Sequence, residues 1–154
     1  MFNEIFGLPL HPLVVHAAVV LAPLFALLAL VLGLLPGQRD RLGWAITGLA
    51  VLAPLSVLGA QLTGPLLRDR VFGGQPPSGE LGERIAMHEG FSLPLLLLTA
   101  GLSLASLLQV HGGARFGPGV TNPLRILTVV LALAVVYYTV RAGHSGAEAV
   151  WLTG

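Results

Sequence analysis

Residues 7–28 read GLPLHPLVVHAAVVLAPLFALL, and their reading decides the fold. From Pro12 to Leu35 the chain is almost wholly apolar, and about 20 such residues suffice to cross a bilayer as a helix. Two imidazoles, His11 and His16, stand at the mouth of this segment. Composition extends the reading to the whole chain. Of 154 residues, 55% are hydrophobic and 10% charged, against about 25% charged in a soluble domain. Mean hydropathy is +0.85. The chain is therefore expected to be an all-α integral membrane protein in contact with the lipid bilayer.

A net charge of +1 offers no basic surface for nucleic acid. The absence of cysteine excludes disulfides, thiolate-ligated metals and covalent c-type haem. The opening MFNEIFG has no basic n-region, so it is not read as a removable signal peptide.

Four segments qualify as spans: 12–35, 43–66, 79–110 and 123–142. Pro12 suits a first helical turn, Ser78 is a candidate N-cap, and Glu80–Arg84 is an i,i+4 pair. Asn122-Pro123 reads as a cap and first-turn proline, and Gly143 as a stop. The short or Gly/Pro-rich links make neighbours antiparallel, which predicts a single domain over 1–154, an up-down-up-down four-helix bundle. Residues 145–154 are expected to form a short interfacial segment. In that reading Ser145 and Glu148 make a capping box. The rival reading carries the fourth helix on through Gly143.

This threading gathers four of the five histidines at one membrane face: His11 and His16 open span one, His88 lies early in span three, and His144 follows span four. Only His111 falls at the other end. Arginines divide evenly, with Arg68, Arg70, Arg84 and Arg141 at the histidine end and Arg39, Arg41, Arg115 and Arg125 opposite. Charge counting thus ties. Because Asp40 is the only acid opposite, the histidines are expected to face outside the cytoplasm.

Helical spacing aligns Glu80, Arg84, His88, Ser92, Thr99, Ser103 and Ser106 in one stripe of span three. It aligns Tyr137, Arg141, His144 and Glu148 in another on span four, provided the helix passes Gly143. Polar stripes in lipid are expected to face the bundle interior. Gly59 and Gly64 permit close approach to span two, either by a neighbouring helix or by a flat cofactor.

LPLHPLVVHAAVVLAPL near the start, the lone histidine of span three and the ending GHSGAEAVW together resemble the bacterial membrane family called domain of unknown function 2231. The H-P-x-x-V-H opening carries most of the likeness. His16-Ala17-Ala18 stands where members usually have H-F-P. The resemblance implies a multi-pass protein of the bacterial inner (plasma) membrane. Some relatives are fused to Rieske iron–sulfur domains, which implies a redox setting.

Three functional readings follow. In the first, non-covalent haem b lies between helices with His16 and His88 as the axial pair. His144 and His11 are substitutes, Arg84 and Arg141 (and less directly Arg68) meet propionates, and Tyr137 adds a hydroxyl. In the second, the histidines bind zinc, copper or non-haem iron without porphyrin. In the third, the cluster handles protons or quinone. A redox partner, either Rieske-type or a quinone, or a homodimer is expected with the first. The plainest alternative is a membrane subunit whose histidines only reach water at headgroup level. His111 then reads as a solvated loop residue, and Trp44 and Trp151 as interfacial anchors. No phosphate-binding loop or H-E-x-x-H occurs, so no self-contained catalytic activity is expected.

Overall fold

A computed structural model describes residues 4–5, 7–75, 77–112 and 115–151. The chain opens with β1 (Glu4–Ile5) paired antiparallel to β2 (Leu8–Pro9), with Gly7 at φ 79° in the turn. Helix α1 spans Leu10–Leu34. A 3-10 turn, Pro36–Gln38, leads into α2, Arg39–Phe72. Helices α3 (Gly79–Gly90) and α4 (Ser92–Leu107) follow, then a π turn, Leu108–Gly112. Helix α5 runs Pro118–Trp151. The protein thus has four helical segments long and apolar enough to cross a membrane, α3 and α4 forming the third.

Helix α1 packs on α2 and α5, α4 packs on the same two, and α1 and α4 sit diagonally. This is an up-down-up-down four-helix bundle. The seam of α1 is Ala18, Ala22, Phe25, Ala29 and Leu32, one face at helical spacing. Alanine there lets backbones approach closely, the usual means of joining helices where lipid removes the hydrophobic drive. Helix α5 answers with Thr128, Ala132, Val135, Thr139 and Ser145.

Helix ends differ from the hydropathy reading for local reasons. Helix α2 exceeds 43–66 at both ends: it starts at Arg39 directly after the 3-10 turn, and it runs on to Phe72, where Gly73, left-handed at φ 62°, stops it with its N–H on Asp69 O. Pro65 does not end it. The third segment is not one rod. It breaks at Phe91, because Pro94 has no N–H for the Gly90 carbonyl. Ser78 sits at the α3 N-cap but makes no side-chain cap bond. Helix α5 starts at Pro118 rather than at Asn122-Pro123; Val120 and Thr121 N–H both bond Gly117 O, so Pro118 holds the first-turn place. The helix also continues through Gly143 to Trp151, which removes the separate segment at 145. Ser145 Oγ donates back to Ala142 O at 3.1 Å instead of capping a new helix. Residues 152–154 of the expected interfacial segment lie outside the described residues.

The end away from the histidine group is clasped by arginines. Arg125 donates from Nε to Gly33 O (2.9 Å) and from a terminal nitrogen to Leu34 O (3.3 Å), which satisfies the C-terminal carbonyls of α1. Arg39 Nε donates to Val110 O in the π turn at 2.8 Å. Gln109 donates to Thr128 Oγ1, and both residues are buried. By contrast, α3 has no buried residue.

Candidate histidine site

His11 lies in the first turn of α1, half-buried against α2. Its Nδ1 is 3.0 Å from Thr63 Oγ1. The Thr63 hydroxyl donates to Gly59 O at 2.8 Å, so toward His11 it can only accept. Nδ1 therefore carries the proton, and neutral His11 keeps its lone pair on Nε2. Gly64 lies beside the ring; a Cβ there would sit 3.5 Å from His11 Cε1, an ordinary contact. Gly59 serves helix packing instead, since a Cβ there would come within 2.9 Å of Val14 Cγ1.

His88, on α3, turns toward α5. Its Nδ1 lies 2.9 Å from Ala142 O, with Ser145 Oγ at 3.3 Å. A carbonyl only accepts, so Nδ1 donates and Nε2 again holds the lone pair. Gly146 makes room for this ring, because a Cβ there would lie 3.0 Å from His88 Cε1 and 3.1 Å from Nδ1. His11 on α1 and His88 on α3 both stand at this end of the bundle. Each ring has its Nδ1 anchored on an oxygen, and His11 also hydrogen-bonds the Ala60 carbonyl. Metal-ligating imidazoles are held this way, their second nitrogen fixed by an outer partner.

His16 is placed differently. It is exposed, and its Nδ1 bonds Pro12 O of its own helix at 2.5 Å. Among the described residues no hydrogen bond or ion pair joins it to another histidine. His144 is also turned outward, 68% exposed, with Nε2 3.3 Å from Glu148 Oε1. Tyr137 is 58% exposed and meets Tyr138 edge-on. Arg141 is exposed and lies 5.3 Å over the Phe91 ring. The α5 stripe named from spacing thus runs mainly along the outer flank, and the inward face is Tyr138, Ala142 and Ser145.

Arg84 bonds Glu80 at 2.6 Å and feels Glu148 across the α3–α5 joint. Its Nε is buried with no acceptor among the described residues. Arg68 reaches both oxygens of Glu89 at 3.0 Å, tying α2 to α3 and removing Glu89 as a free ligand. Lower in α4, Thr99 and Ser103 are buried and bond carbonyls one turn back. His111 is at the far end, its Nε2 3.0 Å from Thr47 Oγ1.

Among the described residues no group of three or more His, Asp or Glu could hold a metal ion. The enclosed space beside His11, bordered by Thr63, Leu66 and Arg70, is about 10 Å³. That is one water's worth.

Thr63, Ser145 and Gly146 are contacts of the two rings that spacing did not assign. In the G-H-S-G ending the last two residues border His88, while His144 is turned outward.

These features define a small four-span α-helical membrane protein with paired histidines at one end of its bundle. Residues 7–154 match the family DUF2231, described as a predicted membrane protein, and the chain belongs to that family. No curated protein and no solved structure matches it.

Proposed function

We propose that the protein is a small redox subunit of a bacterial membrane that takes haem b at the histidine end, with His11 and His88 as axial ligands. What supports this is that both rings stand at one end of the bundle with Nδ1 held by an oxygen of another helix, the way ligating imidazoles are oriented. Bound haem iron would supply one-electron chemistry. The chain's own residues orient the imidazoles and meet the propionates. Arg84, with its unpartnered Nε, is the cation best suited to that charge-assisted contact. A flat ring would have to enter on the α3 side by displacing that helix, which buries no residue and joins α4 only through the turn at Phe91.

A second reading rests on a specific observation. The enclosed space beside His11 fits an ion or a water rather than a porphyrin. Copper, zinc or iron bound there through His11 would need no rearrangement of α3.

One experiment separates the two. The protein is purified in detergent for an optical spectrum and metal analysis. Haem predicts a Soret band and redox-sensitive visible bands, lost in His11→Ala and His88→Ala but kept in His16→Ala and His111→Ala. Colourless protein carrying stoichiometric metal that His11→Ala removes supports the second reading. Colourless, metal-free protein overturns both.

A further inference from the structure

At the end remote from the paired histidines, the π turn and the start of α2 enclose an open groove of about 520 Å³, lined by Arg39, Asp40, Trp44, Thr47, Val110 and His111 among others. Its floor is fixed. Thr47 donates to Gly43 O at 2.8 Å and accepts from His111 Nε2 at 3.0 Å. Arg39 is pinned by the bond from Nε to Val110 O. Its terminal nitrogens have no partner among the described residues, and neither does the Asp40 carboxylate. Trp44 is 80% exposed.

The groove therefore offers one oriented guanidinium, one carboxylate and one open indole face. A purely anionic guest would gain Arg39 but meet Asp40. A guest with both a phosphate and an ammonium satisfies all three groups, phosphate on the guanidinium and ammonium between carboxylate and indole. Below Trp44 on the same face of α2 stand Val51 and Leu55, 51% and 57% exposed. An acyl chain leaving the groove would lie along them. We propose that this groove binds a phospholipid with a zwitterionic headgroup, seated at the membrane face opposite the histidine site.

The test uses full-length Trp151→Phe protein, in which Trp44 is the sole tryptophan. It is placed in phosphatidylglycerol nanodiscs with a minor fraction of brominated lipid, either phosphatidylethanolamine or phosphatidylglycerol. Brominated phosphatidylethanolamine is expected to quench Trp44 about two- to fivefold beyond its mole fraction, the worth of one exposed cation–π contact. Brominated phosphatidylglycerol should quench in proportion to its mole fraction. Asp40→Asn removes an exposed, unpartnered carboxylate and should erase the excess without harming the fold; Arg39→Gln, which also loses the bond to Val110 O, should lower quenching by both lipids. Equal quenching by the two lipids, or an excess that survives Asp40→Asn, overturns the proposal. Reversal of the excess by soluble glycerophosphoethanolamine overturns the lipid as occupant and assigns the groove to a soluble phosphate ester.

Discussion

Gly146 of α5 faces His88 of α3 so closely that a methyl group at 146 would stand 3.0 Å from the imidazole Cε1. Gly146→Ala should push the ring off its bond to Ala142 O and cost about 1–2 kcal/mol, the scale of overpacking. Gly64→Ala, which meets His11 at an ordinary 3.5 Å, should cost far less. Thermal unfolding of the two variants in one detergent makes the comparison. Equal midpoints would show that Gly146 does not seat His88.

Thr63→Val keeps the shape of the side chain but strips the acceptor from His11 Nδ1. Losing this hydrogen bond costs about 0.5–1.5 kcal/mol, and the ring keeps only its bond to the Ala60 carbonyl. Thr63→Ser should restore both stability and whatever cofactor or metal the wild type carries. A Thr63→Val protein with wild-type stability and unchanged His11 imidazole signals in NMR would contradict this.

Arg68 and Glu89 join α2 to α3 through a half-exposed ion pair, with side chains 35% and 37% accessible. Its coupling, from a double-mutant cycle of Arg68→Gln and Glu89→Gln, should be about 0.2–1 kcal/mol and shrink in high salt. A larger, salt-insensitive coupling would mean that the pair is desolvated when the protein sits in lipid.

At the clasped end, Arg125→Gln removes the donors to Gly33 O and Leu34 O and should cost about 1.5–3 kcal/mol, as for hydrogen bonds to charged groups. Gly33→Ala brings a methyl within 2.8 Å of Val129 Cγ2 and 3.2 Å of the Arg125 carbonyl. Overpacking there should cost about 1–3 kcal/mol. Chemical unfolding of both variants checks this, and a neutral Gly33→Ala would show that α1 and α5 have slack at this crossing.

Hydropathy makes the four crossings legible because lipid demands long apolar helices. Helix ends are not legible that way. They are set by local hydrogen bonding, as at Gly73 and at the Phe91 break. The histidine group was legible as a cluster at one end, but not which rings turn inward, because that depends on helix rotation. A signal was nonetheless present. Counting back seven from Ala18, the first of the buried alanines of α1, reaches His11, while His16 stands two residues off that line, roughly 200° around the axis. On α5, Tyr137 and Arg141 are each two residues off the buried line through Val135 and Thr139, whereas Ala142, whose carbonyl meets His88, is on it. Alanine, threonine and serine mark the inner faces of this bundle, and the polar stripe of the third segment does turn inward at Thr99, Ser103 and Ser106.

The break at Phe91 also acts as a ruler. From Ser92 to the end of the π turn at Gly112 the third segment counts 21 residues, a rise of roughly 31 Å, which matches the hydrocarbon thickness of a bilayer. With the bilayer matched to that length, the arm before Phe91 that carries His88 would stand at its aqueous border. The proposed redox exchange at that imidazole would then take place from the water side, without a journey through the acyl chains.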